Sequence, residues 1–141
     1  MILNHNAGIS AEHALPDLNI SHSDLKHAAE SLILSASGWR KIFGPSDDSM
    51  DADISAADIV LAALIADTFS IFVKAYYGRN SVLCLARDAR PTGPFLSAIC
   101  KSILESNGIK VCETGVTSAP EAMCLVKKTD DLDGLDRKSV V

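Results

Sequence analysis

Three short stretches hold the side chains best suited to chemistry. In the first, the apolar run Leu32-Ile33-Leu34 gives way at once to Ser35-Ala36-Ser37-Gly38-Trp39-Arg40-Lys41. In the second, Val82-Leu83-Cys84-Leu85-Ala86 empties into Arg87-Asp88-Ala89-Arg90-Pro91-Thr92-Gly93. In the third, Ile109 to Glu113 is followed by Thr114-Gly115-Val116-Thr117-Ser118. A strand that ends in Ser, Gly and Arg can offer hydroxyls, open backbone N–H groups and a guanidinium fork to an anion. An ordinary exit from strand to loop has the same composition, and the residues alone leave both readings open.

The elements that would position these stretches follow from periodicity and capping. Ser31 to Ser35 reads as a first buried strand, with 37–44 its outgoing loop and Pro45 to Ser49 a polar turn. Ser55 and Asp58 form a capping box with Asp in place of Glu, opening a long helix. Its apolar stripe would be Leu61, Ile65, Phe69, Phe72 and Tyr76, broadened by Leu64 and Val73, with Gly78 as its stop. Ser81 to Ala86 lacks polar alternation, the mark of a strand covered on both faces. A helix from about Thr92 ends at Asn107-Gly108, Ile109 to Glu113 is a third strand, and Ser118 with Glu121 caps a helix running to about Lys128. Ahead of all this, Ser23 to Glu30 predicts a short helix with Ser21 or Ser23 as its N-cap. The order β-loop-α-β-loop-α-β-loop-α implies a layered α/β domain, and in such sheets the loops after the strand ends gather at one ligand-binding edge.

Composition narrows the possible partners. The 141 residues are one domain's worth of chain, 48% hydrophobic and 22% charged, with a net charge of -5. That balance argues against nucleic-acid or membrane-surface binding by bulk charge, so an anion would be held locally. Cys84, Cys100, Cys112 and Cys124 form no C-x-x-C pair and sit in apolar contexts, which predicts buried, reduced thiols, no zinc and a cytoplasmic location. No basic region precedes an apolar core near Met1, so no secretory signal is expected. Ile59 to Tyr77 is interrupted by Asp67, Ser70 and Lys74 and reads as a core helix, not a membrane span. His5, His13, His22 and His27 read as scattered solvated side chains, and Asp131, Asp133 and Asp136 as a solvated acidic turn; no metal site is expected.

Taken together, the three stretches resemble the α-D-phosphohexomutase family, the phosphoglucomutases and phosphomannomutases. Ser35-Ala36-Ser37-Gly38-Trp39-Arg40-Lys41 is similar to the family's G-T-S-G-x-R-G segment, Arg87-Asp88-Ala89-Arg90 to its G-R-D-x-R segment, and Gly115-Val116-Thr117-Ser118-Ala119-Pro120 to its G-x-x-T-x-P turn. The resemblance runs from about Ser31 to Gly134. It implies the first of four domains: a three-layer α/β/α domain with a mixed, mostly parallel sheet of phosphoglucomutase first-domain type. Residues 31–141 would form that domain and 1–30 an N-terminal extension.

The implied enzyme moves a phosphoryl group between the 1- and 6-positions of a hexose phosphate. It does so through a phosphoserine, a hexose 1,6-bisphosphate and Mg2+, the last two not expected to be held by this chain alone. By resemblance Arg40 is the active-site arginine, Ser37, Gly38, Arg40 and Lys41 face substrate, and Arg87, Asp88 and Arg90 brace the strand-end loops. Phosphoryl transfer depends on positioning and cationic stabilisation, which suits arginine. Ala36, Lys41 and Ala86 depart from the family's Thr, Gly and Gly. The family's S-A-S-H-N-P phosphoserine segment has no counterpart after Gly134, and Ser139 lacks the flanking His and Asn. The chain alone is therefore expected to be inactive, its partners being hexose phosphate, the family's downstream domains and, through surface left open, a second copy. A non-catalytic sugar-phosphate-binding or protein-interaction α/β module is the alternative.

Overall fold

A computed structural model describes residues 19–35, 38–44, 53–77 and 82–128. Ser37, Gly78, His5, His13, the Pro45 to Ser49 turn, the aspartates from Asp131 to Asp136 and Ser139 lie outside the described residues. The helices begin where short polar side chains can satisfy their first N–H groups. The first, α1 (His22–Glu30), is capped by Ser21, whose hydroxyl accepts from Asp24 N at 3.1 Å while the Asp24 carboxylate accepts from Ser21 N. In α2 (Ala56–Tyr77) the Ser55 hydroxyl accepts from Asp58 N and donates to Asp58 Oδ2. Pro94 sits in the first turn of α3 (Gly93–Ser106), which ends at Asn107 with Gly108 at φ 77°. Finally, α4 (Ala119–Lys128) carries the reciprocal Ser118–Glu121 box.

Among the described residues the strands form two small sheets. Residues β1 (Ile33–Ser35) and β2 (Gly38–Arg40) pair antiparallel, with Ile33 opposite Arg40 and Ser35 opposite Gly38. The second sheet is parallel, β3 (Val82–Arg87) against β4 (Lys110–Val116). The expectation of a buried first strand with a loop after it is corrected here. The partner strand begins at Gly38, whose φ of 131° is a backbone setting that L side chains avoid. Ile33 and Leu34 consequently stand 64% and 65% exposed. Three residues per strand give too little backbone to cover either face.

The third strand also runs further than its apolar stretch predicts. Between Leu85–Glu113 and Ala86–Gly115 the register slips by one, leaving Thr114 as a bulge, and Gly115 at φ 70° lets pairing resume to Val116. A Cβ on Gly115 would meet nothing within 4 Å, so its requirement is purely conformational. Gly115→Ala is expected to cost about 1–2 kcal/mol, read as a fall in thermal midpoint, with Gly115→Asn better tolerated because Asn enters the left-handed region more readily.

Val73, Leu83, Leu104 and Ile109 form the core, with Phe69 and Val111 against them. On α2 the buried line runs through Ala62, Ala66, Ser70 and Val73 beside Leu61. The predicted stripe holds at Leu61, Phe69 and Val73 and is corrected at Leu64, Phe72 and Tyr76: Phe72 is 43% and Tyr76 74% exposed. Small side chains let α3 and α1, which pack on α2, approach its axis closely, and the large rings are turned outward. Ser70 is buried without cost because its hydroxyl donates to the Asp67 carbonyl. By length and composition α2 is apolar enough to cross a membrane, the one such helix among the described residues.

Candidate anion-binding edge

The hairpin carries its candidate residues on a rigid base. Lys41, immediately after β2, turns inward with its side chain only 5% exposed. Its ammonium group donates to the Ala28 carbonyl at 3.0 Å and to the Ser31 hydroxyl, and pairs with Asp58 Oδ1 at 3.0 Å. The Phe43 ring lies 5.9 Å from the same nitrogen. One side chain thus ties the end of α1, the foot of the hairpin and the first turn of α2. A cleft of about 510 Å³ opens beside this knot, bounded by Asp24, His27, Lys41 and Asp58. Lys41, expected at the substrate edge, makes its contacts here with Ala28, Ser31 and Asp58, whose buried Oδ1 faces the ammonium group without a well-formed hydrogen bond.

Arg40 is the group this arrangement presents outward. It is exposed, and among the described residues no carboxylate lies within ion-pair distance of it. Gly38, half-buried, gives the hairpin its turn, and Ser35 Oγ donates to the Gly38 carbonyl at 2.9 Å. Trp39, 52% exposed, sits opposite Leu34. A guanidinium with its fork free, beside exposed apolar surface, can donate two parallel hydrogen bonds to two oxygens of a phosphate.

At the end of β3 the structure brings Arg87, Asp88 and Arg90 together. Asp88 Oδ1 accepts from Arg90 N at 3.0 Å, its Oδ2 lies 3.4 Å from Arg90 Nε, and Arg87 Nη1 donates to the Asp88 carbonyl. The Thr117 N–H donates to the Arg87 carbonyl at 2.9 Å, joining the β3 exit to the β4 exit. Gly93 passes so close that its Cβ would stand 3.4 Å from the Asp88 carbonyl oxygen. Two of the three polar exits therefore converge as the α/β pattern predicts, while the hairpin stands on its own sheet. The Lys41–Asp58 pair is what sequence reading missed; its one visible signal was Asp58 itself, already assigned to a cap.

Ionisation elsewhere follows local contacts. The Glu113 carboxylate, 2.6 Å from Lys101 Nζ, raises the lysine by hydrogen bonding and charge. The Ser118 hydroxyl and backbone hold Glu121 below the usual carboxylate range. Burial pushes up Cys100 and, together with the neighbouring Cys112, Cys84. The expectation of four buried thiols is corrected: Cys112 and Cys124 are exposed and Cys84 and Cys100 half-buried. A face of β4 left open explains Cys112. Among the described residues no three His, Cys, Asp or Glu side chains converge.

Parallel strands joined through a helix, with a braced turn at their ends and an arginine-bearing hairpin ahead of them, make this an α/β domain. The family model for the phosphoglucomutase/phosphomannomutase alpha/beta/alpha domain I matches residues 31–135, and the chain belongs to that family. Neither a curated protein nor a solved structure matches it significantly.

Proposed function

We propose that this chain supplies the first domain of an enzyme moving a phosphoryl group between the 1- and 6-positions of a hexose phosphate. In that reading Arg40 lines one wall of the reaction cleft. The observation carrying it is a family match over residues 31–135 in which Arg40 stands exposed on a hairpin anchored by a buried lysine. The guanidinium stabilises charge on the phosphoryl oxygens, and its anchored base keeps the fork from retreating. Arg87, Asp88 and Arg90 act one step back, fixing the strand exits. In the complete enzyme the domain takes the mixed, mostly parallel three-layer form of its family, works in the cytoplasm, and Mg2+ sits on residues other than those described.

The 141 residues contain no Ser-His-Asn run to carry the phosphoryl group. A coupled assay with glucose 1-phosphate should therefore give no glucose 6-phosphate from this chain; conversion would refute the expectation that these residues alone are inactive. Glucose 1,6-bisphosphate titrated by NMR should shift the hairpin amides, and Arg40→Ala should abolish those shifts while leaving the fold intact. Shifts that survive Arg40→Ala would move the anion site elsewhere. Ile33, Leu34, Trp39 and Ile42 on the hairpin and Leu64, Ile71 and Tyr76 on α2 are all exposed, and such patches drive association. Sedimentation should show concentration-dependent self-association, and a clean monomer at high concentration would contradict it.

A further inference from the structure

Asn107 and Gly108 close α3 in a turn that reaches into the core. Three successive N–H groups fold back on the last helical turn. Asn107 N donates to the Ile103 carbonyl at 3.0 Å, Gly108 N to the Glu105 carbonyl at 2.8 Å and Ile109 N to the Leu104 carbonyl at 3.0 Å. Gly108 takes the left-handed φ of 77° that this kind of helix end requires. Leu104 and Ile109, joined by the last of these bonds, are both core residues, each 2% exposed. The Asn107 side chain spans to the neighbouring helix, where its Nδ2 donates to Asp67 Oδ1 of α2 at 2.8 Å. Asn followed by Gly is also a dipeptide prone to cyclise, because glycine has no side chain to hinder attack by its backbone nitrogen.

We propose that Asn107 is a deamidation site that the folded domain holds shut and whose product weakens the contact between α2 and α3. In the reaction the Gly108 nitrogen bonds to Asn107 Cγ and the Cγ–Nδ2 bond breaks. The side-chain nitrogen leaves as ammonia, taking the proton that the backbone nitrogen gives up. Water from solvent then opens the cyclic imide at either carbonyl, giving aspartate or isoaspartate; nothing is oxidised or reduced. The fold opposes each part of this. The attacking nitrogen is tied to Glu105 and the leaving amide to Asp67, while φ -82° and ψ 5° at Asn107 keep the chain helix-like and not turned for ring closure. Aspartate at this position sets a second carboxylate against Asp67 where a donor stood, a like-charge contact. Isoaspartate adds a methylene to the main chain ahead of Gly108 and breaks the register of bonds that seats Ile109 beside Leu104. Loss of ammonia makes the change one-way, so each opening of this helix end risks a permanent loss of its lock.

The test incubates the 141-residue chain at mildly alkaline pH and follows its tryptic peptide Ser102–Lys110 by mass spectrometry. Conversion is expected in guanidinium chloride and at least about tenfold slower in the native chain, where attack waits on local opening. Asp67→Ala keeps the main-chain carbonyl that Ser70 uses and should speed native conversion about threefold by freeing the leaving amide. Equal rates in the folded and unfolded chains, or an unchanged native rate in Asp67→Ala, would overturn the protected site. Because Asp67→Ala can loosen the whole domain, the effect of the product is read separately. Asn107→Asp should lower the denaturant midpoint at neutral pH, and the deficit should shrink as pH falls through the carboxylate range and the pair takes up a proton. Exchanging the two groups, Asp67→Asn with Asn107→Asp, should restore the neutral-pH midpoint. An Asn107→Asp chain as stable at neutral pH as the unaltered one would overturn the weakening.

Discussion

Replacing Lys41 by methionine is expected to destabilise the domain by about 3 kcal/mol, the lower range for removing one partner of a buried ion pair. Methionine keeps the length and apolar stem of lysine, so the loss comes from the charge. The Asp58 side chain is 16% exposed, and its Oδ1 faces the lysine nitrogen at 3.0 Å while Oδ2 accepts from the Ser55 hydroxyl. Without Lys41 that carboxylate is left with a desolvated oxygen, and the Ser31 hydroxyl and Ala28 carbonyl lose their shared donor. Denaturant midpoints measure the effect. Arg40→Ala, at an exposed neighbour, should move stability by no more than about 0.5 kcal/mol. A double-mutant cycle with Asp58→Asn isolates the pair: the double variant should lose clearly less than the sum of the singles. If Lys41→Met is no worse than Arg40→Ala, the buried knot does not hold the hairpin. Lys41→Met should also weaken bisphosphate binding at Arg40, because the hairpin loses its foot.

Much of this arrangement was legible because capping and covering have local causes. Ser118 with Glu121, Ser55 with Asp58 and Asn107-Gly108 mark helix ends through bonds made within four residues, and all three are found. The unbroken apolar run of β3 announces a covered strand, and Leu83, Leu85 and Ala86 are buried, although Cys84 between them is only half-buried. The first strand shows where that logic stops. Leu32-Ile33-Leu34 has the same apolar character, but burial depends on what packs against it. A hairpin turned at Gly38 brings only its own three-residue partner. Lys41 was illegible for the same reason: its partners Ala28, Ser31 and Asp58 come from two helices flanking the hairpin, and no spacing rule links them. At the β3 exit, by contrast, Arg87, Asp88 and Arg90 close their network within four residues, so a motif could point to it.

Leu104→Ala should cost about 3 kcal/mol, whereas Tyr76→Ala should cost less than about 1 kcal/mol, although tyrosine is the larger side chain. Leu104, 2% exposed, lies in the cluster with Val73, Leu83 and Ile109, contributed by α2, β3 and the residue leading into β4. Truncating it removes apolar contacts from all of them and leaves a cavity that helices and parallel strands, fixed by backbone bonds, cannot collapse to fill. Tyr76 contacts Phe72 with ring centroids 4.5 Å apart, but both rings face outward, so losing it forfeits one aromatic contact and little burial. Its removal should show instead in solution behaviour: if the α2 face mediates self-association, Tyr76→Ala lowers the sedimentation coefficient at high concentration while the unfolding midpoint barely moves. The reverse result, a large stability loss at Tyr76 and a small one at Leu104, would mean that the aromatic stripe is the core after all. That would also turn α2 about its axis, carrying Asp58 away from Lys41, so the two stability measurements stand or fall on the same helix orientation.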